Sequence, residues 1–197
     1  GLTEAEILAR IGATASHPEG LFFPDTYLFD KRSSALALLA RAHHSMQQKL
    51  DEVWAERDPA LPLTSAYELL ILASIVEKET GRPEDRGLVA SVFTNRLRIG
   101  MRLQTDPTVI YGLGDRYDGR LRRIHLETDH PWNTYTRAGL PPTPIAIPGL
   151  ASLRAAVKPE KSDFLYFVAR GDGSSQFSRN LDEHNRAVNR YIRGGGS

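Results

Sequence analysis

The sequence predicts an α+β domain in which helices predominate and the sheet is one small antiparallel hairpin. Two observations point there. Residues 34–57, 65–79 and 83–100 carry apolar side chains at three- and four-residue spacing, the period of helices with a buried face. Only one pair of short β-rich runs, residues 164–169 and 176–178, is joined by a glycine turn, Gly171-Asp172-Gly173. No internal repeat is present.

Taken in order, a short helix over residues 3–11 precedes a Pro/Gly-containing loop that runs through Asp30. Ser33 or Ser34 can cap a long helix reaching about Arg57. Its apolar positions, Leu39, Ala42, Met46, Leu50, Val53 and Trp54, hold helical spacing while Gln47, Gln48, Lys49 and Glu52 face away. Ser65 and Glu68 form a capping box for the next helix, which is apolar almost all round up to Val76 and is therefore expected inside the domain. Pro83 opens another helix whose inner stripe is Leu88, Val89, Val92, Phe93 and Leu97, with Gly100 as its stop. Residues 101–148 are irregular and rich in Thr, Asp, Tyr, Gly and Pro, too long for a passive connection. A short helix over residues 149–157, the hairpin, and a last helix capped by Asn180 and Glu183 complete the chain. Residues 1–193 read as a single domain and 194–197 as a flexible tail or an engineered remnant.

Composition narrows the function. Of 197 residues, 41% are hydrophobic and 25% charged, as in an ordinary globular domain. The formal net charge of +1 and the lack of a basic stripe argue against a nucleic-acid partner. Without cysteine there is no disulfide or thiolate site, and the six histidines lack zinc-motif spacing, so neither metal nor cofactor is expected. No apolar run reaches the roughly 18 residues of a membrane span. Ser74 lacks a nucleophile-elbow context, and Gly112-Leu113-Gly114 lacks the rest of a nucleotide motif.

The chemistry suggested by the residues begins where the apolar helix ends in Glu77-Lys78-Glu79-Thr80. Glu79 continues the stripe of Leu72, Ile75 and Val76, whereas Glu77 continues another through Leu70, Ala73 and Ser74. A carboxylate against an apolar wall has its charged form destabilised, which suits a general acid near neutral pH. A helix end turning into solvent would carry the same charges, and the pattern alone does not choose between the two glutamates. Acids are poorly placed at a helix C-terminus, so two of them call for another explanation. The run Leu103-Gln104-Thr105-Asp106-Pro107-Thr108 gathers amide, hydroxyl and carboxylate groups, either as a sugar-binding surface or as turn chemistry around a proline. Trp132-Asn133-Thr134-Tyr135 could stack on and hydrogen-bond a sugar, or serve as a core-and-turn segment.

These pieces occur together and in order in one family. Glu19-Gly20 followed by Phe23-Pro24-Asp25-Thr26-Tyr27, the segment Ala73-Ser74-Ile75-Val76-Glu77-Lys78-Glu79-Thr80, and Val92-Phe93-Thr94-Asn95-Arg96-Leu97 all resemble the YceG-like (MltG) endolytic murein transglycosylases. So do residues 100–112, Asn133-Thr134-Tyr135, Gly139-Leu140-Pro141-Pro142, Leu165-Tyr166-Phe167-Val168 and Glu183-His184-Asn185. The resemblance covers residues 19–191, and its specificity lies in the ordered set.

The resemblance implies a lytic transglycosylase catalytic domain whose acid is Glu79. It would cleave the β-1,4 bond between N-acetylmuramic acid and N-acetylglucosamine and leave 1,6-anhydromuramyl ends. As a hypothesis, Gln104, Thr105, Asp106, Asn133 and Tyr135 hold the substrate and polarise the acid, with Ser74 and Tyr111 as lesser contributors. The chain departs from the family pattern at Trp132, Ser175 and Ile147, where many relatives have Tyr, His and Asn. The resemblance further implies an N-terminal membrane anchor and a LysM-like domain lying outside this sequence. It also implies a location on the outer, periplasmic face of the cytoplasmic membrane and a link to the penicillin-binding-protein synthases; the domain itself is expected to be monomeric. The competing readings are a lysozyme-like hydrolase pairing Glu79 with Asp106 or Asp25, and a non-catalytic peptidoglycan-binding module.

Overall fold

Helix α3 (Ala66–Glu79) is the axis around which the rest is packed, because every residue from Leu69 to Val76 is buried. A computed structural model describes residues 1–194, so residues 195–197 of the expected tail lie outside the described residues. Three helices surround α3: α2 (Ala35–Ala55), α4 (Pro83–Arg98) and α7 (Leu150–Val157), with α7 packed most extensively against it. Each Leu or Ile taken fully out of water contributes about 1.5–3 kcal/mol, so the run from Leu69 to Val76 anchors the domain. Helix α1 (Glu4–Arg10) starts at a Thr3–Glu6 capping box and buries Leu8 in the same core.

The start signals act as the sequence predicts. Ser34 caps α2 and accepts the Ala37 N–H, and Ser65 caps α3 and accepts the Glu68 N–H. The second half of the box is displaced by one residue, since Glu68 reaches back to the N–H of Thr64. Pro83 opens α4 without any side-chain cap.

The segment read as irregular contains short helices: α5 (Asp106–Leu113), a 3-10 turn (Gly114–Arg116) and α6 (Arg123–Glu127). None is long enough to declare an amphipathic period. Strand β1 (Tyr166–Ala169) pairs antiparallel with β2 (Ser175–Ser178), Tyr166 opposite Ser178 and Ala169 opposite Ser175. The turn between them needs Gly171 and Gly173, both at positive φ. Phe167 meets Phe93 edge-on at 5.8 Å and so fixes the hairpin to α4. Helix α8 (Leu181–Val188), capped by Asn180, packs on the hairpin and runs into a π turn (Asn189–Arg193).

Candidate active site

The two acids at the end of α3 have opposite surroundings. Glu77 is committed to the fold: its Oε2 accepts the Ser152 hydroxyl at 2.6 Å and the Gly149 N–H at 3.1 Å. It thereby supplies the negative charge at the N-terminus of α7, where the helix dipole favours it. That contact accounts for the first of the two misplaced acids.

Glu79 is the other. Its carboxyl opens into a cleft of about 380 Å³ lined by Phe93, Arg96, Leu103, Gln104, Asp106 and Tyr135, with Tyr166, Phe167, Leu181 and His184 across from α3. Burial pushes the Glu79 carboxyl above the usual carboxylate range. A hydrogen bond from the Thr105 hydroxyl opposes the rise, the charge of Asp106 adds to it, and the charge of Arg96 opposes it again. The balance favours a carboxyl that holds a proton more tightly than an exposed glutamate does.

Thr105 is held by a web of hydroxyl and main-chain bonds. Its N–H donates to the Thr134 Oγ1 at 3.1 Å, and the Thr134 and Thr108 hydroxyls share a bond of 2.8 Å. The Thr108 hydroxyl also bonds the Thr105 carbonyl, at 2.8 Å. Gln104, next in line, donates its N–H to the Thr134 carbonyl and sits at φ 49°, the only positive φ outside glycine among the described residues. That conformation costs an L-residue about 1–2 kcal/mol, and strain of this kind concentrates where a side chain must face a ligand. Beyond it, the Tyr135 hydroxyl donates to Asp106 Oδ1 at 2.5 Å. Burial, followed by that bond, raises the phenol's pKa and keeps Tyr135 a donor.

Gln104, Thr105, Asp106 and Tyr135 are thus brought together around Glu79, Thr105 from beneath and the others at the surface of the cleft. The remaining three candidates are not. Asn133 is 1% exposed and spends its amide on its own segment, sharing Nδ2 among the carbonyls of His125, Leu126 and Thr128 and accepting the Tyr135 N–H. Ser74 is fully buried and bridges the Ile71 carbonyl to the Ile145 N–H. Tyr111 lies five residues beyond Asp106 on α5, roughly 140° around the helix, and packs instead with His17 and Trp132. Asp25, weighed as a second acid, is exposed and bonds the Thr26 N–H, outside the cleft.

Two groups of the cleft carried no assigned role in the sequence. Arg96 is 7% exposed, donating Nε to the Leu165 carbonyl at 2.7 Å and Nη1 to that of Leu103 at 2.8 Å, with its guanidinium 5.1 Å from the Tyr166 ring. A signal was available: Arg96 follows Val89, Val92 and Phe93 at helical spacing, a charge on an apolar stripe. His184 stacks on Tyr166 at 5.1 Å; Glu183-His184-Asn185 is part of the family resemblance, but nothing in that run gives the ring a role. Among the described residues no group of three or more His, Asp or Glu is placed to hold a metal ion, and no helix is long and apolar enough to cross a membrane.

The family model for the YceG-like family matches residues 2–190. The endolytic murein transglycosylase of Bacillus subtilis (strain 168) is 41% identical over 177 residues, which are 89% of this chain and 49% of the relative. Its counterpart in Streptococcus pneumoniae (strain D39) is 32% identical over 180 residues, 88% of this chain and 32% of the relative. The crystal structure of a yceG-like protein of Listeria monocytogenes superposes with a TM-score of 0.75 at 39% identity, covering 90% of this chain and 58% of that one. The chain spans half or less of the length of these curated relatives. With the match running from α1 into the final turn and taking in the whole Glu79 cleft, the chain belongs to the YceG-like family.

Proposed function

We propose that this domain is the catalytic part of an endolytic murein transglycosylase, with Glu79 as its single general acid and base. The observation that carries the reading is one buried carboxyl of raised pKa, opening into a cleft and hydrogen-bonded by Thr105. In the proposed reaction Glu79 gives its proton to the glycosidic oxygen between N-acetylmuramic acid and N-acetylglucosamine, and the bond to C1 breaks. The resulting carboxylate takes the proton of the muramyl C6 hydroxyl as that oxygen bonds C1. The acid is regenerated, a 1,6-anhydro ring is formed, and no water is consumed. Its raised pKa serves the first step and its ionised form the second. Gln104 and Tyr135 are proposed to contact the glycan, and Thr105 and Asp106 to set the acid's proton affinity. The relatives' names, endolytic murein transglycosylase, agree with a peptidoglycan substrate. The reading includes work on glycan at the outer face of the cytoplasmic membrane beside the synthases, through an anchor outside this sequence.

A hydrolase is the second reading, favoured by one observation: Asp106 lines the same cleft as Glu79 and could activate a water. Its hydrogen bond from Tyr135 competes with that role. Mass spectrometry of peptidoglycan digested by the wild type and by Glu79→Gln decides between them. Anhydromuramyl ends from the wild type alone are expected. Reducing muramic acid ends would overturn the transglycosylase, and ends from both proteins would overturn Glu79 as the acid.

A further inference from the structure

The wall of the cleft that holds Arg96 and His184 carries polar atoms that no group among the described residues pairs with. Among the described residues, three buried side-chain polar atoms lack any hydrogen-bond partner, and one of them, His184 Nδ1, belongs to this cleft. His184 is not a loose side chain. It sits in α8, which Asn180 caps and which packs on the hairpin, and its ring lies on Tyr166 at an angle of 23°. Nδ1 is enclosed, but a ring so fixed also presents Nε2, which has no partner among the described residues and is not among the enclosed atoms, so that it is the nitrogen a bound group can reach. Burial first, and then the charge of Arg96, depress its pKa, so the ring is neutral and offers one donor and one acceptor.

Arg96 lies against the same Tyr166 ring. Its Nε and Nη1 bond the carbonyls of Leu165, Arg102 and Leu103, and among the described residues no carboxylate comes within 4.0 Å of it. Among the described residues Nη2 has no acceptor, and it is not among the enclosed atoms of this cleft-lining residue. The carboxyl whose charge acts on Arg96 is Glu79, which burial favours in its protonated form, and an oxygen acceptor supplied by a ligand would pair the guanidinium more fully. Arg96 and His184, both held against the Tyr166 ring, therefore bring donors and an acceptor to one cleft. That is the chemistry of an amide-bearing sugar.

We propose that Arg96 and His184 form a subsite that reads an amide group of the glycan strand, Arg96 donating to the carbonyl oxygen and His184 hydrogen-bonding the same unit. The proposal rests on the glycan-cleaving reading of Glu79 and adds the group by which the strand is recognised. Two amides could supply it, the 2-acetamido group of a sugar or the linkage that joins a stem peptide to the lactyl group.

The test is steady-state cleavage of purified peptidoglycan strands by the wild type, His184→Phe and His184→Gln. Phenylalanine keeps the stack on Tyr166 and removes both nitrogens, whereas glutamine gives up the stack and restores a donor and an acceptor. Losing one hydrogen bond predicts a rise in KM of about three- to tenfold for His184→Phe, with kcat changed less and KM partly recovered in His184→Gln. Thermal unfolding of each variant separates this from lost structure, which would lower the folded fraction without moving KM. The same comparison on strands stripped of stem peptides, and on strands stripped of N-acetyl groups, finds the source. The gap between wild type and His184→Phe should close on whichever strand lacks the amide being read. Equal KM for the two proteins on intact strands would overturn the subsite, and a gap that persists on both altered strands would overturn its assignment to an amide. Wild type that neither cuts nor binds strands would instead overturn the reading of Glu79 on which the subsite rests.

Discussion

Glu77 and Glu79 stand two residues apart on one helix end, yet replacing them should move stability in opposite directions. Glu77 accepts two bonds at the N-terminus of α7, one of 2.6 Å and one of 3.1 Å. Hydrogen bonds to a charged group contribute about 1.5–3 kcal/mol each, and a charge at a helix terminus roughly 0.3–1 more. Glu77 is partly exposed, so water replaces some of what Glu77→Ala removes, and a net loss of about 2–3 kcal/mol is expected. At about 2–4 °C per kcal/mol for a domain of this size, Tm should fall by roughly 5–10 °C. Glu77→Gln keeps an acceptor oxygen and should lose about half as much. For Glu79 the folded pKa lies above the unfolded one, so its ionised form is the penalised one. Its favourable contribution is complete below the unfolded pKa and is lost as pH rises through the folded value. Glu79→Gln removes the charge and should therefore melt above the wild type at neutral pH, with the gap closing as pH falls below the carboxylate range. Circular-dichroism melts at neutral and acid pH read both effects. An unchanged Tm in Glu77→Ala, or a Glu79→Gln less stable than wild type at neutral pH, would refute the assignment of one acid to structure and the other to the cleft.

Three further outcomes are expected. The charge of Asp106 raises the Glu79 pKa and the Thr105 hydroxyl lowers it, so Asp106→Asn should move the alkaline limb of the kcat/KM profile to lower pH and Thr105→Val to higher pH. Limbs that move together, or not at all, would exclude these two neighbours as the control. Gln104→Gly should relieve about 1–2 kcal/mol of left-handed strain against about 0.5–1 of lost chain stiffness, giving a slightly raised Tm with reduced cleavage. A lowered Tm would show that the Gln104 side chain supports the fold. Asn133→Ala should cost about 2–3 kcal/mol by leaving the carbonyls of residues 125, 126 and 128 short of a donor, with KM of the folded fraction little changed. A raised KM at unchanged Tm would return Asn133 to the substrate.

What the sequence could and could not disclose follows from how far each determinant reaches along the chain. Helices α2, α3 and α4 were legible because their caps and apolar stripes lie within each helix. The hairpin was legible because its glycine turn is local. Helices α5 and α6 were not, since segments of 8 and 5 residues are set by packing rather than by a period of their own. Glu77 could not be separated from Glu79 by pattern, because the groups that claim Glu77 lie 72 and 75 residues away. Asn133 misled for a related reason: an amide in a polar motif looks the same whether it faces a sugar or its own main chain. Arg96, given no role in the sequence, stands there as a charge on a buried stripe, a signal that could have found it. His184 acquires a role only through Tyr166, 18 positions earlier on another element.

The same bonds that hold the cleft's walls together also govern the acid. Arg96 ties the Leu103 carbonyl of the Gln104 turn to the Leu165 carbonyl at the edge of the hairpin, joining the walls on either side of Glu79. Thr134 holds Gln104 and Thr105 from the far side, and Thr105 in turn holds Glu79. A displacement of the turn would therefore change the acid's strongest opposing hydrogen bond and its distance from Asp106 together, and these act on its pKa with opposite signs. A glycosidase with two acids has to maintain a separation between carboxylates. On the proposed reading, a site with one acid has to maintain a single proton affinity through two successive transfers. Rigidity in the turn matters more to it than any one contact, which explains why a strained Gln104 is tolerated at the place where the web is densest.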